Sequence, residues 1–184
     1  MYLFICTFLM FEHRIANKED QENIEKLMES SINQMLGKML SLDQLEAAKE
    51  SMGLDTTLIK DRTYFLIFSD NTLVGSGGYS ARKTLFGGNH TPNRSDDFLT
   101  PGKDAAKVRA MYTHPKWVRK GIGSLILKLA EEESLRLGFN RCELMATVSG
   151  ILLYEKRGYE VVEETEYVSR KGNTVPMYKM EKEL

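Results

Sequence analysis

The segment from Val108 to Ser124, VRAMYTHPKWVRKGIGS, restricts the possible folds more than any other part of the chain. Its first half predicts a strand over Ala106–Thr113 that His114-Pro115 ends, and its second half opens a helix over residues 121–137. The segment therefore predicts a strand, a short turn and a glycine-rich helix start in succession. The helix is amphipathic, with Gly138 placed to end it and an apolar face formed by Ile122, Leu125, Ile126, Leu129 and Ala130.

The other periodic segments predict helices interspersed in a mostly antiparallel, mixed sheet. Helices are expected over residues 18–36, with Asn17 as a possible N-cap, from Ser41 to Gly53, and over residues 151–157, where Ser149 could be the cap. No repeat or linker interrupts the chain, so the sequence predicts one α/β or α+β domain over residues 1–184. Strands are expected over residues 12–16, 63–69, 72–80, 141–147, 159–168 and 174–182.

Composition argues against several classes of function. Lys plus Arg number 25 and Asp plus Glu 26, and this balanced charge gives no support to a nucleic-acid partner. The two cysteines, Cys6 and Cys142, have no metal-ligand spacing and indicate reduced thiols in the cytoplasm. Residues 1–11 are almost wholly apolar, but they are shorter than the roughly 20 residues of a membrane span and lack a signal-peptide pattern. They are either an apolar first strand or an extension, over residues 1–10, ahead of a start near Met10; neither implies a membrane partner.

The sequence Gly121-Ile122-Gly123 at the predicted helix start favours a binding site for a diphosphate. The first amides of a helix have no internal partners, and glycines let an anion approach them closely. Arg119 and Lys120 add positive charge beside them. The phosphate-loop pattern is absent, and the dinucleotide pattern G-x-G-x-x-G fails because Ile126 stands at its third glycine. A tight helix entry without a ligand is the alternative for a lone Gly-x-Gly.

Two motifs in the second half of the chain resemble those of a known family. The stretch MYTHPKWVRKGIGSLIL, which starts at Met111, resembles the acyl-CoA signature of the GNAT superfamily of N-acetyltransferases. The stretch LYEKRGY, which starts at Leu153, is similar to that family's L-Y-x-K-x-G-[FY] element. The resemblance implies a GNAT-like α/β (α+β) fold, with a mixed, mostly antiparallel sheet of six to seven strands and about four helices. It also implies an acetyl-CoA-dependent N-acetyltransferase without a metal, which acetylates a primary amine by direct attack in a ternary complex.

The resemblance assigns roles to particular residues. Tyr154 matches the family's general acid, which protonates the leaving thiolate; the alternative is a core aromatic on a short apolar helix. A backbone N–H of Met111 or Tyr112 would polarise the thioester carbonyl. Val118, Thr147 and Gly150 depart from the family's usual residues, and these departures concern the pantetheine arm rather than the diphosphate. The implied cofactor contacts are Met111, Tyr112, Thr113, Val118, Arg119, Lys120, Gly121, Ile122, Gly123, Ser124 and Thr147.

The general base and the acceptor are left open by the sequence. Glu143, His114 and His90 are candidate bases, although each is more easily explained as a structural or solvated residue. The acceptor is a small-molecule or peptide amine, and a homodimer is common in the family. A non-catalytic acyl-CoA-binding sensor is the alternative function.

Residues 82–104 form a long stretch without a clear period, rich in Gly, Pro, Asn, Ser and Asp. Such a stretch is either a disordered insertion or a functional loop. The apolar and aromatic residues Phe86, His90, Phe98 and Leu99 are costly to leave in water. We therefore expect a loop that shapes the acceptor pocket and does not touch the diphosphate.

Overall fold

A seven-stranded mixed sheet runs through the computed structural model, which describes residues 11–92 and 94–184. The strands lie in the order β1-β2-β3-β4-β5-β7-β6, and of their pairings the one between β4 and β5 is parallel. The expected mixed, mostly antiparallel sheet is confirmed. Its strands are β1 (Glu12–Ile15), β2 (Tyr64–Ser69), β3 (Thr72–Ser80), β4 (Ala106–Thr113), β5 (Arg141–Thr147), β6 (Glu160–Val168) and β7 (Thr174–Glu183).

Helices cover both faces of this sheet. Alternate residues of β2 point to opposite faces, since Tyr64 and Leu66 pack with the first two helices, whereas Phe65 and Ile67 pack on the side of the fourth. In the described residues, no helix is long and apolar enough to cross a membrane. The helices are α1 (Gln21–Met35), α2 (Leu42–Ser51), α3 (Thr56–Lys60), α4 (Ile122–Arg136) and α5 (Ile151–Lys156).

Local capping chemistry explains where two of the helices begin. Asn17 caps as predicted, but it starts a 3-10 turn, Lys18–Asp20, that leads into α1. Ser41 forms a capping box with Gln44 at the start of α2, as expected. The prediction that Ser149 caps α5 was wrong: Gly150 occupies the N-cap position without a side-chain cap, because the Ser149 hydroxyl lies 3.2 Å from that of Thr147.

Helix α4 lies directly on β3 because two glycines let it approach. A Cβ atom at Gly77 would lie 2.8 Å from Ile126 Cγ2, and one at Gly75 would clash with Ile122. Ile122 and Ile126 are almost fully buried against this strand. The glycines that weaken β3 as a strand therefore fix the depth and position of the α4 N-terminus.

Strands β4 and β5 separate shortly after they begin. They pair in parallel only at Ala106 and Lys107 of β4, although both strands continue for several residues. Ala110 adopts a left-handed φ of 53°, and the pairing of β4 with β3 shifts register at this point. Such a bulge bends a strand. The second half of β4 and the end of β5 consequently line an opening in the sheet.

The connection between β3 and β4 is folded onto the protein in its described part. Arg82 and Phe98 form an isolated antiparallel β-bridge across the loop, and the Arg82 guanidinium lies 4.2 Å from the Phe98 ring centre. Leu99 is buried in the core on the α4 side of the sheet. The two alternatives for the N-terminal apolar stretch concern residues 1–10, which lie outside the described residues. Phe11 is described and packs edge-on against Trp117.

Candidate active site

The turn before α4 presents backbone amides at one end of a cleft. Arg119 and Gly121 both have left-handed φ angles, 63° and 91°, so the chain turns sharply into the helix. The Leu125 N–H donates a hydrogen bond to the carbonyl of Gly121, the N-cap residue of α4. The preceding amides, those of Ile122, Gly123 and Ser124, have no acceptor within the helix. With the positive end of the helix dipole, they form a ready anion site.

The cleft beside this turn has a volume of about 410 Å³ and reaches from α4 to α5. Lys120 does not line it, because its ammonium lies 4.1 Å from the Trp117 ring centre. Tyr112 lines an adjoining cavity instead. The other residues expected to contact the cofactor all line the cleft: Met111, Thr113, Val118, Arg119, Gly121, Ile122, Gly123, Ser124 and Thr147.

The adjoining cavity is narrow, about 80 Å³, and lies where β4 and β5 separate. Met111, Thr147 and Tyr154 line both spaces and therefore stand at their junction. The long loop contributes Leu85, Phe86 and Gly87 to the narrow cavity, and no described loop residue lines the larger cleft. One molecule bound in the cleft and another in the cavity would meet beside Tyr154.

Tyr154 is held on α5 with its ring packed against Gly150. A Cβ atom at Gly150 would lie 2.6 Å from Cε2 of this ring, so the glycine leaves the space that the ring occupies. The Tyr154 hydroxyl donates to Met111 Sδ at 3.8 Å. Burial raises the pKa of Tyr154 to about 12, so the phenol keeps its proton at neutral pH.

The three candidate bases are engaged in other contacts. Glu143 is buried in ion pairs with Lys107 and Lys179, and hydrogen bonds from these two lysines hold its pKa below the usual range despite burial. The His114 Nδ1 accepts the Lys116 N–H in the turn before α4. The His90 Nε2 lies 2.9 Å from the Glu50 carbonyl on the protein surface. None of them lines the cleft or the narrow cavity.

Sequence reasoning missed a buried charge cluster beside the narrow cavity. Asp55 at the start of α3 pairs with Arg109 of β4, whose Nη1 lies 2.6 Å from Asp55 Oδ2. Arg94 of the long loop pairs with the same carboxylate at 2.8 Å. Burial lowers the pKa of Arg109. The signal was present in β4, where Lys107 and Arg109 alternate in an otherwise apolar strand and so require buried partners.

Within residues 11–92 and 94–184, no three His, Cys, Asp or Glu side chains are grouped so that they could hold a metal ion. Cys142 is a buried free thiol on β5, and burial raises its pKa to about 11. A thiol with so high a pKa is a poor nucleophile. The ionisable groups that line the narrow cavity are Arg109, Tyr112 and Tyr154.

Known structures share this arrangement of strands and helices. A GCN5-related N-acetyltransferase from Rhodopseudomonas palustris superposes with a TM-score of 0.69 at 18% identity, over 94% of this chain and 95% of that one. An N-acetyltransferase from Thermoplasma acidophilum, crystallised with coenzyme A, gives 0.62 at 18% identity, over 95% and 99% of the two chains. A ribosomal-protein-alanine N-acetyltransferase from Brucella melitensis gives 0.62 at 15% identity, over 94% and 99%.

Sequence comparison identifies the family directly. No curated protein matches the chain. The model of the acetyltransferase (GNAT) family matches residues 32–159, which include the α4 turn, the separated strands and Tyr154. The chain belongs to the acetyltransferase (GNAT) family.

Proposed function

We propose that this acetyltransferase binds acetyl-CoA in the cleft between α4 and α5 and transfers the acetyl group to a primary amine in the narrow cavity. The observation that carries the proposal is the junction of the two spaces beside Tyr154. A ternary complex needs such a junction, because donor and acceptor must be bound together before they react.

The cleft fits the chemistry of coenzyme A. The N–H groups of Ile122, Gly123 and Ser124 have no hydrogen-bond acceptor within the helix and therefore suit a diphosphate. Arg119, which is exposed, adds a positive charge beside them. From this end the cleft continues past Met111 and Thr147 to Tyr154, as an extended pantetheine arm requires. The coenzyme A complex of the Thermoplasma protein supports this choice of cofactor.

The chain's own residues would supply two functions to the reaction. Acetyl-CoA supplies a thioester. The amine nitrogen forms a bond to the carbonyl carbon, the bond from that carbon to sulfur breaks, and the thiol leaves. A backbone N–H of Met111 or Tyr112 in the bent part of β4 would donate to the carbonyl oxygen as charge develops there. Tyr154 would donate its proton to the leaving sulfur. Since none of the candidate bases lines the cavity, the attacking amine would lose its proton to water.

Turnover of acetyl-CoA against a panel of primary amines tests the proposal. Release of free thiol that depends on an added amine, with acetylated amine detected by mass spectrometry, is the expected result. A protein that binds acetyl-CoA and acetylates no amine would instead be a sensor that reports acyl-CoA to a partner. Tyr154 favours the enzyme, because a sensor has no need of a proton donor at this junction.

Four further assignments are part of the proposal. We infer one N-acetyltransferase domain over residues 1–184, which operates in the cytoplasm, where the free thiol of Cys142 would stay reduced. The acceptor is either a small molecule or a peptide, and the structural neighbour named for ribosomal-protein alanine makes a protein N-terminus one candidate. A homodimer stays a prediction that the sedimentation coefficient would test.

A further inference from the structure

Arg109 is a buried guanidinium with incomplete pairing. The residue lines the narrow cavity, although it is only 5% exposed. Nη1 faces Asp55 and Nη2 donates to the Gly87 carbonyl at 2.7 Å. Nε is buried and has no hydrogen-bond partner among the described residues. A buried N–H of this kind costs free energy that a bound acceptor group could recover.

The charge around Arg109 is also unbalanced. Asp55 is shared between Arg109 and Arg94, so two guanidinium groups face one buried carboxylate. Of the described residues that line the narrow cavity, Arg109 is the only charged one. The cavity therefore has a net positive charge on one wall, and a buried charge requires a partner of opposite sign.

The rest of the cavity combines apolar, adaptable side chains with the polar residues Ser51, Tyr112, Thr147 and Tyr154. Four methionines line it, together with Leu85, Phe86 and Leu144. Thioether side chains are flexible and polarisable, so they adapt to apolar groups of different shape. The methionines are Met52, Met111, Met145 and Met177.

The size of the narrow cavity limits how far an anion on Arg109 can lie from the reacting amine. Arg109, Met111 and Tyr154 all line this space, whose volume is about 80 Å³. The amine would react next to Met111 and Tyr154. The amine and carboxylate of an α-amino acid are attached to one carbon atom, so both fit within a space of this size. A lysine ε-amine is separated from its own carboxylate by a long chain and would need a longer space.

We propose, on the basis of the function inferred above, that the acceptor is a free α-amino acid with an apolar side chain and that Arg109 binds its carboxylate. The apolar side chain lies among the methionines, and the amine faces the thioester beside Tyr154. Pairing with Arg109 also offsets the negative charge that holds the proton on the amine. A neutral amine is then reached without a base in the cavity.

The matched acceptors leucine and leucinamide test this proposal with the unmodified protein. They differ in the carboxylate, and the amide resembles the first residue of a peptide. We expect kcat/KM for leucine to exceed that for leucinamide by at least about tenfold. Intrinsic reactivity opposes this result, because the amide's amine loses its proton more readily. Equal values, or a preference for the amide, would overturn the proposal.

Binding separates this proposal from the acetyltransferase function on which it rests. Calorimetry on the protein saturated with free coenzyme A measures leucine and leucinamide without turnover. Tighter binding of leucine supports the role of Arg109 even if no amine is acetylated, in which case the function proposal alone fails. Equal binding, or binding of neither, counts against the carboxylate site.

Variants of the cluster connect the preference to Arg109. In Arg109→Met the preference for leucine over leucinamide should disappear, and Arg109→Lys should restore part of it. Arg94→Met is the matched control, since it removes the other guanidinium of the cluster, which does not line the cavity. Arg94→Met should keep the preference within about threefold of the wild-type value. If Arg109→Met does not fold, the comparison of leucine with leucinamide in the wild type still tests whether the acceptor's carboxylate is recognised.

Discussion

The Tyr154 hydroxyl points at Met111 Sδ, 3.8 Å away, where α5 faces the bent part of β4. A thioether is a weak acceptor, so this contact holds the phenol in place without competing strongly for its proton. A thiolate would accept the same proton much better, because hydrogen bonds to charged groups are stronger. The contact thus places the phenol beside a sulfur atom at the junction of the two spaces.

Removing the Tyr154 hydroxyl should affect turnover and spare cofactor binding. We expect Tyr154→Phe to lower kcat by roughly 100-fold or more, the range typical of a lost general acid. The Kd for acetyl-CoA should change by less than about threefold, because the proposed diphosphate site lies at the other end of the cleft. Tyr79→Phe is the control, since Tyr79 is a buried tyrosine that lines neither space. Comparable kcat values for the two variants would make Tyr154 a packing residue.

The raised pKa of Tyr154 predicts the shape of the pH profile. Burial raises this pKa to about 12, so the phenol keeps its proton well above neutral pH. The rate should rise with pH as the amine acceptor loses its proton, and it should not fall again below about pH 10. Initial rates measured at saturating acetyl-CoA test this. A descending limb below pH 10 that disappears in Tyr154→Phe would show that the phenol titrates normally.

The elements with strong periodicity could be predicted from sequence, and contacts between distant residues could not. The bounds of β4 and β5 were predicted to the residue, and α4 within one residue at each end, because their apolar patterns are regular. Helix α3 has five residues, too few to show a period. The turn before α4 carried a local signal in its glycines. Lys107 and Arg109 in β4 indicated that buried partners exist, but no local pattern identified Asp55, which lies on another element far away in the sequence.

Replacing Gly123 tests the cofactor site. A Cβ atom at this position would lie 2.6 Å from Leu153 Cδ2, so a side chain would press on α5 and narrow the cleft. Gly123→Val should weaken acetyl-CoA binding by about tenfold or more, measured by calorimetry. Gly37→Val is the control, because its Cβ would make an ordinary contact at 3.5 Å with Leu45, and neither residue lines the cleft. An unchanged Kd for Gly123→Val would remove the α4 turn as the diphosphate site.

The buried cluster predicts a large loss of stability when its carboxylate is neutralised. Asp55→Asn leaves Arg109 and Arg94 close together without a counter-charge, and we expect the free energy of unfolding to fall by about 3–5 kcal/mol. Urea denaturation at pH 7 measures this. Glu22→Gln removes the carboxylate of an exposed ion pair with Lys26 and should leave the midpoint unchanged. A similar small effect for both variants would mean that water enters the cluster.

The long loop should control the acceptor and leave the cofactor alone. Its residues Leu85, Phe86 and Gly87 line the narrow cavity, whereas Leu99 belongs to the core and must be kept. The variant that tests this role therefore replaces only residues 85–95 with a short Gly-Ser turn, which also removes Arg94. The KM for the acceptor should rise or the order of preferred acceptors should change, because one wall of the cavity is lost. The Kd for acetyl-CoA should stay within about threefold, since no described loop residue lines the cleft. If the shortened enzyme keeps the wild-type acceptor profile, the loop does not select the acceptor. Comparing the sedimentation coefficients of the shortened and wild-type enzymes would then test whether the loop forms an oligomer contact.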